Sequence, residues 1–267
     1  MTTTTMTALD WADELDPITL DELNASAERL VRVDRKYLLR SEEVGPIIRQ
    51  LPGVRVLEID GQRGTDYSST YLDTAGLEAY HLAGRGRRRR YKVRIRRYAG
   101  GDAFLEVKWR DGRGQTHKQR IVHPGTWPLD GEAQDFVVDT LADAGIQAPK
   151  IADLAPVLTT RYRRTTLLLP DEDARATIDI GLTCKSGQQK AEFDEFAVVE
   201  TKAGRRLTSL DLLLHRHGHR TARMSKYGVG LAATTPGLPA TKWRRTLRRL
   251  QSNRHRSRHT WHPGKHF

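Results

Sequence analysis

Cysteine is almost missing from this chain. Its single occurrence, Cys184, excludes an internal disulfide and any cysteine-based zinc site, and it favours a reducing, intracellular setting. The alternation Ile180, Leu182, Cys184 suits a small buried residue. Long apolar runs are missing as well: no window approaches the roughly 18 residues of a membrane-spanning helix. The N-terminus is Thr-rich and then acidic through Asp10, Asp13, Glu14 and Asp16, without the basic and apolar regions of a secretory leader. A soluble, cytoplasmic protein is the expectation. No Walker A sequence, G-x-G-x-x-G turn or H-E-x-x-H occurs, which removes the usual nucleotide, dinucleotide and zinc-protease classes. Any phosphate must then be held by side chains.

Acid is also missing from the C-terminal tail, where after Thr241 there is no Asp or Glu while Lys and Arg number nine. The whole chain has 267 residues and a net charge of +12, so the tail supplies most of the excess and the remainder is nearly balanced. A charge of this sign points to nucleic acid, nucleotide, polyphosphate or anionic lipid without choosing among them. Residues 1–28 read as an acidic, loosely ordered leader, 29–231 as the folded body, and 232–267 as a Pro/Gly/Thr linker (TTPGLPATK) with a basic tail. Within the tail, LRRLQSNRHRSRH reads as a short amphipathic helix and a basic arm. Nucleic acid, an anionic membrane or emerging polyphosphate would suit it as partner, and a solubilising role is the alternative.

What the body does contain is period-two alternation. RRRRYKVRIRR ends in Lys92-Val93-Arg94-Ile95-Arg96, a strand with one cationic and one apolar face. Strands are expected at 31–39, 54–60, 67–72, 89–98, 103–110, 115–122, 157–169, 174–180 and 195–202. Helices are expected at 42–51, 75–82 behind Thr74, 132–144 and 209–216 behind Thr208, with Gly145 and Gly218 as stops. So many strands at short intervals suggest a closed or nearly closed sheet, an α+β fold with peripheral helices.

Charged residues share faces in strand after strand. Arg32, Asp34 and Lys36 lie on one side of the first; Glu106 and Lys108, Lys118 and Arg120, Arg175 and Asp179, and Glu200 and Lys202 do the same further on. One wet face explains any single strand. Set side by side at about 5 Å, so many Lys and Arg strands would repel one another. If the sheet closes into an antiparallel barrel with these charges inward, carboxylates and a polyanion can neutralise them.

The segments RVDRKYLLR, STYLDT followed by LEAY, YKVRIRRY, FLEVKWRDGRGQTHKQR, LTTRYRRTTLL, RATIDIGL, AVVETK and MSKYGVG resemble, in order and spacing, the VTC domain of polyphosphate polymerases, a branch of the triphosphate tunnel metalloenzymes related to CYTH proteins. The resemblance implies a closed antiparallel barrel forming a triphosphate tunnel. It also implies Lys36, Arg94, Arg96, Lys108, Lys118, Arg164, Arg175, Lys202 and Lys226 as phosphate-binding catalytic residues, Glu200 as the ligand of Mg²⁺ or Mn²⁺, and transfer of the γ-phosphoryl of a nucleoside triphosphate, ATP first, onto polyphosphate. Lys92 joins the set on its strand's alternation. Asp34, Glu106 and Asp179 are expected to orient cations, and Gly84 to Arg90 to stand at the tunnel mouth. CYTH-type hydrolases open with Glu-x-Glu-x-Lys, whereas this chain has Arg32-x-Asp34-x-Lys36, a departure that favours transfer over hydrolysis. A metal-dependent triphosphatase and a non-catalytic polyphosphate- or RNA-binding module are the alternatives. Export of a product would need a separate membrane partner.

Overall fold

The computed structural model describes residues 10–25, 33–169 and 174–252. In chain order the elements are β1 (Asp16–Ile18), α1 (Leu20–Ala25), β2 (Val33–Arg40), α2 (Ser41–Ile48), β3 (Arg55–Leu57), β4 (Thr65–Asp73) and α3 (Glu78–Gly84). There follow β5 (Arg90–Tyr98), β6 (Ala103–Arg110), β7 (Thr116–Val122), α4 (Gly131–Asp143), β8 (Ala155–Leu169), β9 (Ala174–Ser186), β10 (Gln189–Phe193) and β11 (Phe196–Ala203). Helices α5 (Ser209–Arg216), α6 (Lys226–Thr234) and α7 (Arg244–Gln251) complete the set. The main sheet runs β2-β11-β9-β8-β4-β5-β6-β7, antiparallel at each step. β10 adds to β9, and the small parallel pair β1–β3 attaches to the far end of β8. Among the described residues no helix is long and apolar enough to cross a membrane.

The expected barrel is not closed. β2 and β7, the two ends of the path, do not pair. The backbone carbonyl of Lys36 instead accepts from the Ala222 amide at 2.7 Å, so the connection between α5 and α6 lies where a closing strand would have to sit. Side chains span the seam, with Lys108 Nζ on β6 lying 3.8 Å from Asp34 Oδ2 on β2.

Alternation along the strands separates two environments. Tyr37 and Leu39 of β2, Leu167 of β8, Ala176 and Ile178 of β9 and Val199 of β11 pack with Val44, Ile47 and Ile48 of α2 and Leu210, Leu213 and Leu214 of α5. On the other half of the sheet α4 packs against β6, with Leu105, Val107, Val137 and Leu141 fully buried. Burying each such side chain contributes about 1.5–3 kcal/mol. The charged faces of the same strands are thereby turned to the inside of the curled sheet.

Helix ends follow their capping chemistry. Asp130 accepts from the Ala133 amide at 2.8 Å, and Thr208 and Asp211 form a capping box at α5. Asp211 also accepts from Tyr37 Oη at 2.7 Å and Thr201 Oγ1 at 2.8 Å, tying α5 to β2 and β11. α3 starts later than expected behind Thr74, because Leu77 is left-handed (φ 53) and the Asp73 carboxylate takes the Ala79 and Tyr80 amides at 3.0 Å. Two domain expectations change. Residues 10–25 are not loosely ordered: Trp11 and Leu23 are buried. Residues 232–234 finish α6 rather than open a linker, and α7 buries Leu247 and Leu250 against the body. Residues 253–267 of the expected basic arm lie outside the described residues.

Candidate active site

Three buried carboxylates organise the cations on the inner face. Glu106 of β6 accepts from Arg94 Nε at 2.7 Å and Arg94 Nη2 at 2.5 Å, with Lys118 at 3.6 Å and Arg96 at 4.0 Å. Burial raises its pKa, but Arg94, then Arg96 and Lys118, outweigh that and bring it to about 2. Asp179 of β9 takes a bidentate fork from Arg164, 2.6 and 2.8 Å, and a close bond from Lys226. It too is held well below the usual carboxylate range against its burial by these two cations. Glu200 of β11 receives Lys36 at 2.8 Å and Lys202 at 2.9 Å on the same Oε1, and Lys202 and Lys36 keep it ionised despite its burial. Asp34 meets Lys108. All four carboxylates therefore orient cations, Glu200 included.

Tyrosines carry the guanidinium groups that the carboxylates do not fully enclose. Arg96 donates to Tyr162 Oη at 3.1 Å and Ser69 Oγ at 3.3 Å, and its guanidinium lies over the Tyr67 ring. Arg94 reaches Tyr71 Oη at 3.3 Å. Tyr67 and Tyr162 stack with centroids 5.4 Å apart, while Lys226 lies 4.3 Å from the Tyr162 centroid. Burial raises the Tyr162 pKa, yet Arg164, Arg96 and Lys226 together pull it below the ordinary phenol value. The signal for these tyrosines was present in Tyr67-x-Ser69-x-Tyr71 and Tyr162-x-Arg164, which put aromatic and cationic groups on one strand face.

Lys92 has a different setting. Its Nζ donates to Ser225 Oγ at 3.0 Å, the residue that caps α6 by accepting from the Gly228 amide. Burial, with Lys108, Arg94, Lys36 and Arg90 close by, lowers its pKa to about 7. Burial likewise lowers Lys108 and Lys118, and takes Lys202 to about 8 against the pull of Glu200. Arg120 faces inward over the Phe104 ring, 4.5 Å from its centroid.

The structure brings Lys36, Arg94, Arg96, Lys108, Lys118, Arg164, Lys202, Lys226 and Glu200 into one connected inner surface. Arg175 shares that face but stands at its end: its guanidinium bonds the Leu23 carbonyl of α1. Arg32 lies outside the described residues. At the seam the inner surface opens into a cleft of about 790 Å³, lined by Lys36 and Lys92 and, beyond them, by Arg90, Arg110, Arg220, Arg223 and Lys242. None of the last four was singled out in the sequence, because they come from three separate segments, β6, the α5–α6 connection and the stretch before α7, with no common periodicity.

No curated protein matches by sequence. A Hippeastrum protein named as an adenylyl cyclase, HpAC1, and described as having a dominant triphosphatase activity is similar at 14% identity. It covers 79% of this chain and 99% of its own, with a TM-score of 0.47. The inorganic triphosphatase NE1496 is similar at 14% identity over 64% of this chain and 74% of its own, with a TM-score of 0.23. The VTC domain model matches residues 31–235, a span that takes in every strand from β2 to β11 and each cation of the inner surface, and the chain belongs to the VTC domain family.

Proposed function

We propose that this chain is a metal-dependent phosphotransferase that moves the γ-phosphoryl of a nucleoside triphosphate, ATP, onto a polyphosphate chain held along the inner face. One observation carries the reading: the inner cations exceed the carboxylates that hold them. Glu106, Asp179 and Glu200 orient Arg94, Arg164, Lys226, Lys36 and Lys202, while Lys92 turns to a hydroxyl. A buried ammonium without a carboxylate is unfavourable in isolation; phosphate oxygens would reverse that penalty.

The chemistry suits the residues. Charge in phosphoryl transfer spreads over the phosphoryl oxygens, so positioning and electrostatic stabilisation supply most of the rate. Arg94, Arg96 and Arg164 are forks able to grip two oxygens, and Lys36, Lys92 and Lys226 act as point charges. The terminal oxygen of a polyphosphate acceptor is already an anion, so no general base is required. Tyr162 and Ser69 fix Arg96 before substrate arrives, which lowers the cost of ordering it.

A metal ion fits the donor set only jointly with substrate. Glu200 and Asp34 are the carboxylates near Lys36, Lys108 and Lys202, and Mg²⁺ or Mn²⁺ is commonly bound by one or two carboxylates with phosphate oxygens. Among the described residues no group of three or more protein ligands is assembled. Bound there, the ion would neutralise charge on the β- and γ-phosphate oxygens. Lys36 and Lys202 would then turn from Glu200 toward phosphate.

Purified protein incubated with ATP and Mg²⁺ or Mn²⁺ is expected to form long-chain polyphosphate, and the Arg94→Ala and Glu200→Gln variants are not. Free phosphate as the sole product would make it a triphosphatase. Salt-sensitive polyphosphate or RNA binding that survives Glu200→Gln, with no nucleotide turnover, would make it a binding module. The Arg32-x-Asp34-x-Lys36 pattern supports transfer, since a cation replaces the first carboxylate of the hydrolase pattern.

A further inference from the structure

The geometry points to a second anion site: the basic cleft at the open seam binds linear polyphosphate beyond the residues engaged at the reaction centre. This rests on the reading that the inner face accepts a phosphate chain. The cleft is continuous with that face through Lys36 and Lys92, and its volume of about 790 Å³ is far more than one phosphate requires.

The excess of cations over carboxylates is larger in the cleft than on the inner face. Arg90 donates to the Arg87 carbonyl at 2.6 Å, Arg110 to the Gly114 carbonyl at 2.7 Å, and Arg220 to the His215 carbonyl at 3.0 Å. Lys242 donates to the carbonyl of Ala83. Carbonyl oxygens orient these groups without neutralising them. Asp34 is the one carboxylate among the lining residues, and it already faces Lys108. Burial and mutual proximity lower the pKa of Arg90 and of Lys242, the latter beside Arg90, Arg223 and Arg110. A polyanion lying among them would relieve that repulsion.

The lining also selects the kind of polyanion. Single-stranded nucleic acid is held by basic grooves that offer aromatic faces for base stacking. Apart from the ring of His215, Trp243 is the aromatic group that lines this cleft, and it is 2% exposed. A chain of phosphates alone needs no such platform.

Binding of tripolyphosphate, of a long-chain polyphosphate and of a single-stranded RNA is measured by calorimetry on the full chain at fixed ionic strength. The paired substitution Arg110→Gln with Arg223→Gln is expected to weaken long-chain binding roughly tenfold and flatten its salt dependence, with tripolyphosphate binding unchanged. Arg223→Glu, at an exposed position, is expected to act in the same direction and serves if the double variant misfolds. Equal affinities of variant and wild type for the long chain overturn the site. So does a parallel loss of tripolyphosphate affinity, which would merge the cleft with the reaction centre, and so does RNA bound as tightly as long-chain polyphosphate. Wild type that ignores tripolyphosphate, yet binds the long chain through Arg110 and Arg223, would uphold the cleft while sinking the inner-face reading.

Discussion

Arg164 holds Asp179 through two parallel bonds, Nε to Oδ1 at 2.6 Å and Nη2 to Oδ2 at 2.8 Å, and Lys226 at the start of α6 closes on the same carboxylate. Sheet and helix therefore meet at one charge. Asp179 is fully buried, so Asp179→Asn would strand two cations with little solvent to receive them. The expected loss of stability is about 3–5 kcal/mol, read from the urea midpoint. Adding Lys226→Met should recover part of it. A single variant within experimental error of wild type would show that the pairing contributes no stability.

Glu106 gives a pH signature. Its folded pKa of about 2 lies below the ordinary value of 4.5, so its contribution is fully present above 4.5 and is lost as pH falls from there to about 2. The size is on the order of 3 kcal/mol. Denaturation series at stepped pH should show wild-type stability falling through that window. Glu106→Gln should start lower and fall less steeply, since the group that takes up the proton is gone.

Much of the sheet was legible in the chain because cation and β-branched residues alternate in it. Ala103–Arg110 appears at its expected bounds, and Arg90–Tyr98 within one residue. Local capping served equally well for Ser209–Arg216 behind Thr208. Three things were not legible, for different reasons. β9 continues to Ser186 beyond an irregularity opposite Arg161 and Arg163, where the face-to-face parity changes and period two fails. α6 was not among the expected helices: its glycines at 228 and 230 weaken any helical signal, and only tertiary contacts explain them. Closure of the sheet depends on what occupies the β2 edge, and the Ala222 amide bonded there comes from a segment with no strand pattern. Among the site cations Arg175 was expected from the family resemblance, whereas its partner, the Leu23 carbonyl, lies in a stretch expected to be loosely ordered.

Those two glycines make a sharp test of how α6 is seated. A Cβ on Gly228 would fall 2.2 Å from Trp243 Cζ2, and one on Gly230 would meet Leu158 Cδ2 at 2.8 Å and Cys184 Sγ at 2.9 Å. The intrinsic helix preference of alanine would favour both substitutions by up to about 1 kcal/mol. Overpacking opposes it with about 1–3 kcal/mol or more. Gly228→Ala is thus expected to lower the melting temperature and to weaken triphosphate binding, because Ser225 and Lys226 ride on the same helix end. A raised melting temperature would mean α6 is not packed against Trp243.

Lys92 links proton and phosphate. With a folded pKa of about 7 against 10.5 unfolded, the unfolded chain holds the extra proton between those values, so this residue makes the free protein more stable as pH rises from 7 toward 10.5. Lys36, Arg90, Arg94 and Lys108 face it and resist its charging; an anion among them would favour the ammonium form. Triphosphate binding at pH 8 should therefore take up protons, seen as a binding enthalpy that varies with the ionisation enthalpy of the buffer. Affinity should decline above pH 7 as that proton becomes harder to supply. Lys92→Met should reduce the uptake, leaving the share of Lys202 with its pKa of about 8, and should flatten the decline while the Arg94 to Glu106 pair stays in place. If wild type and Lys92→Met share one pH profile, the proton taken up belongs to another group and Lys92 does not contact the phosphate chain.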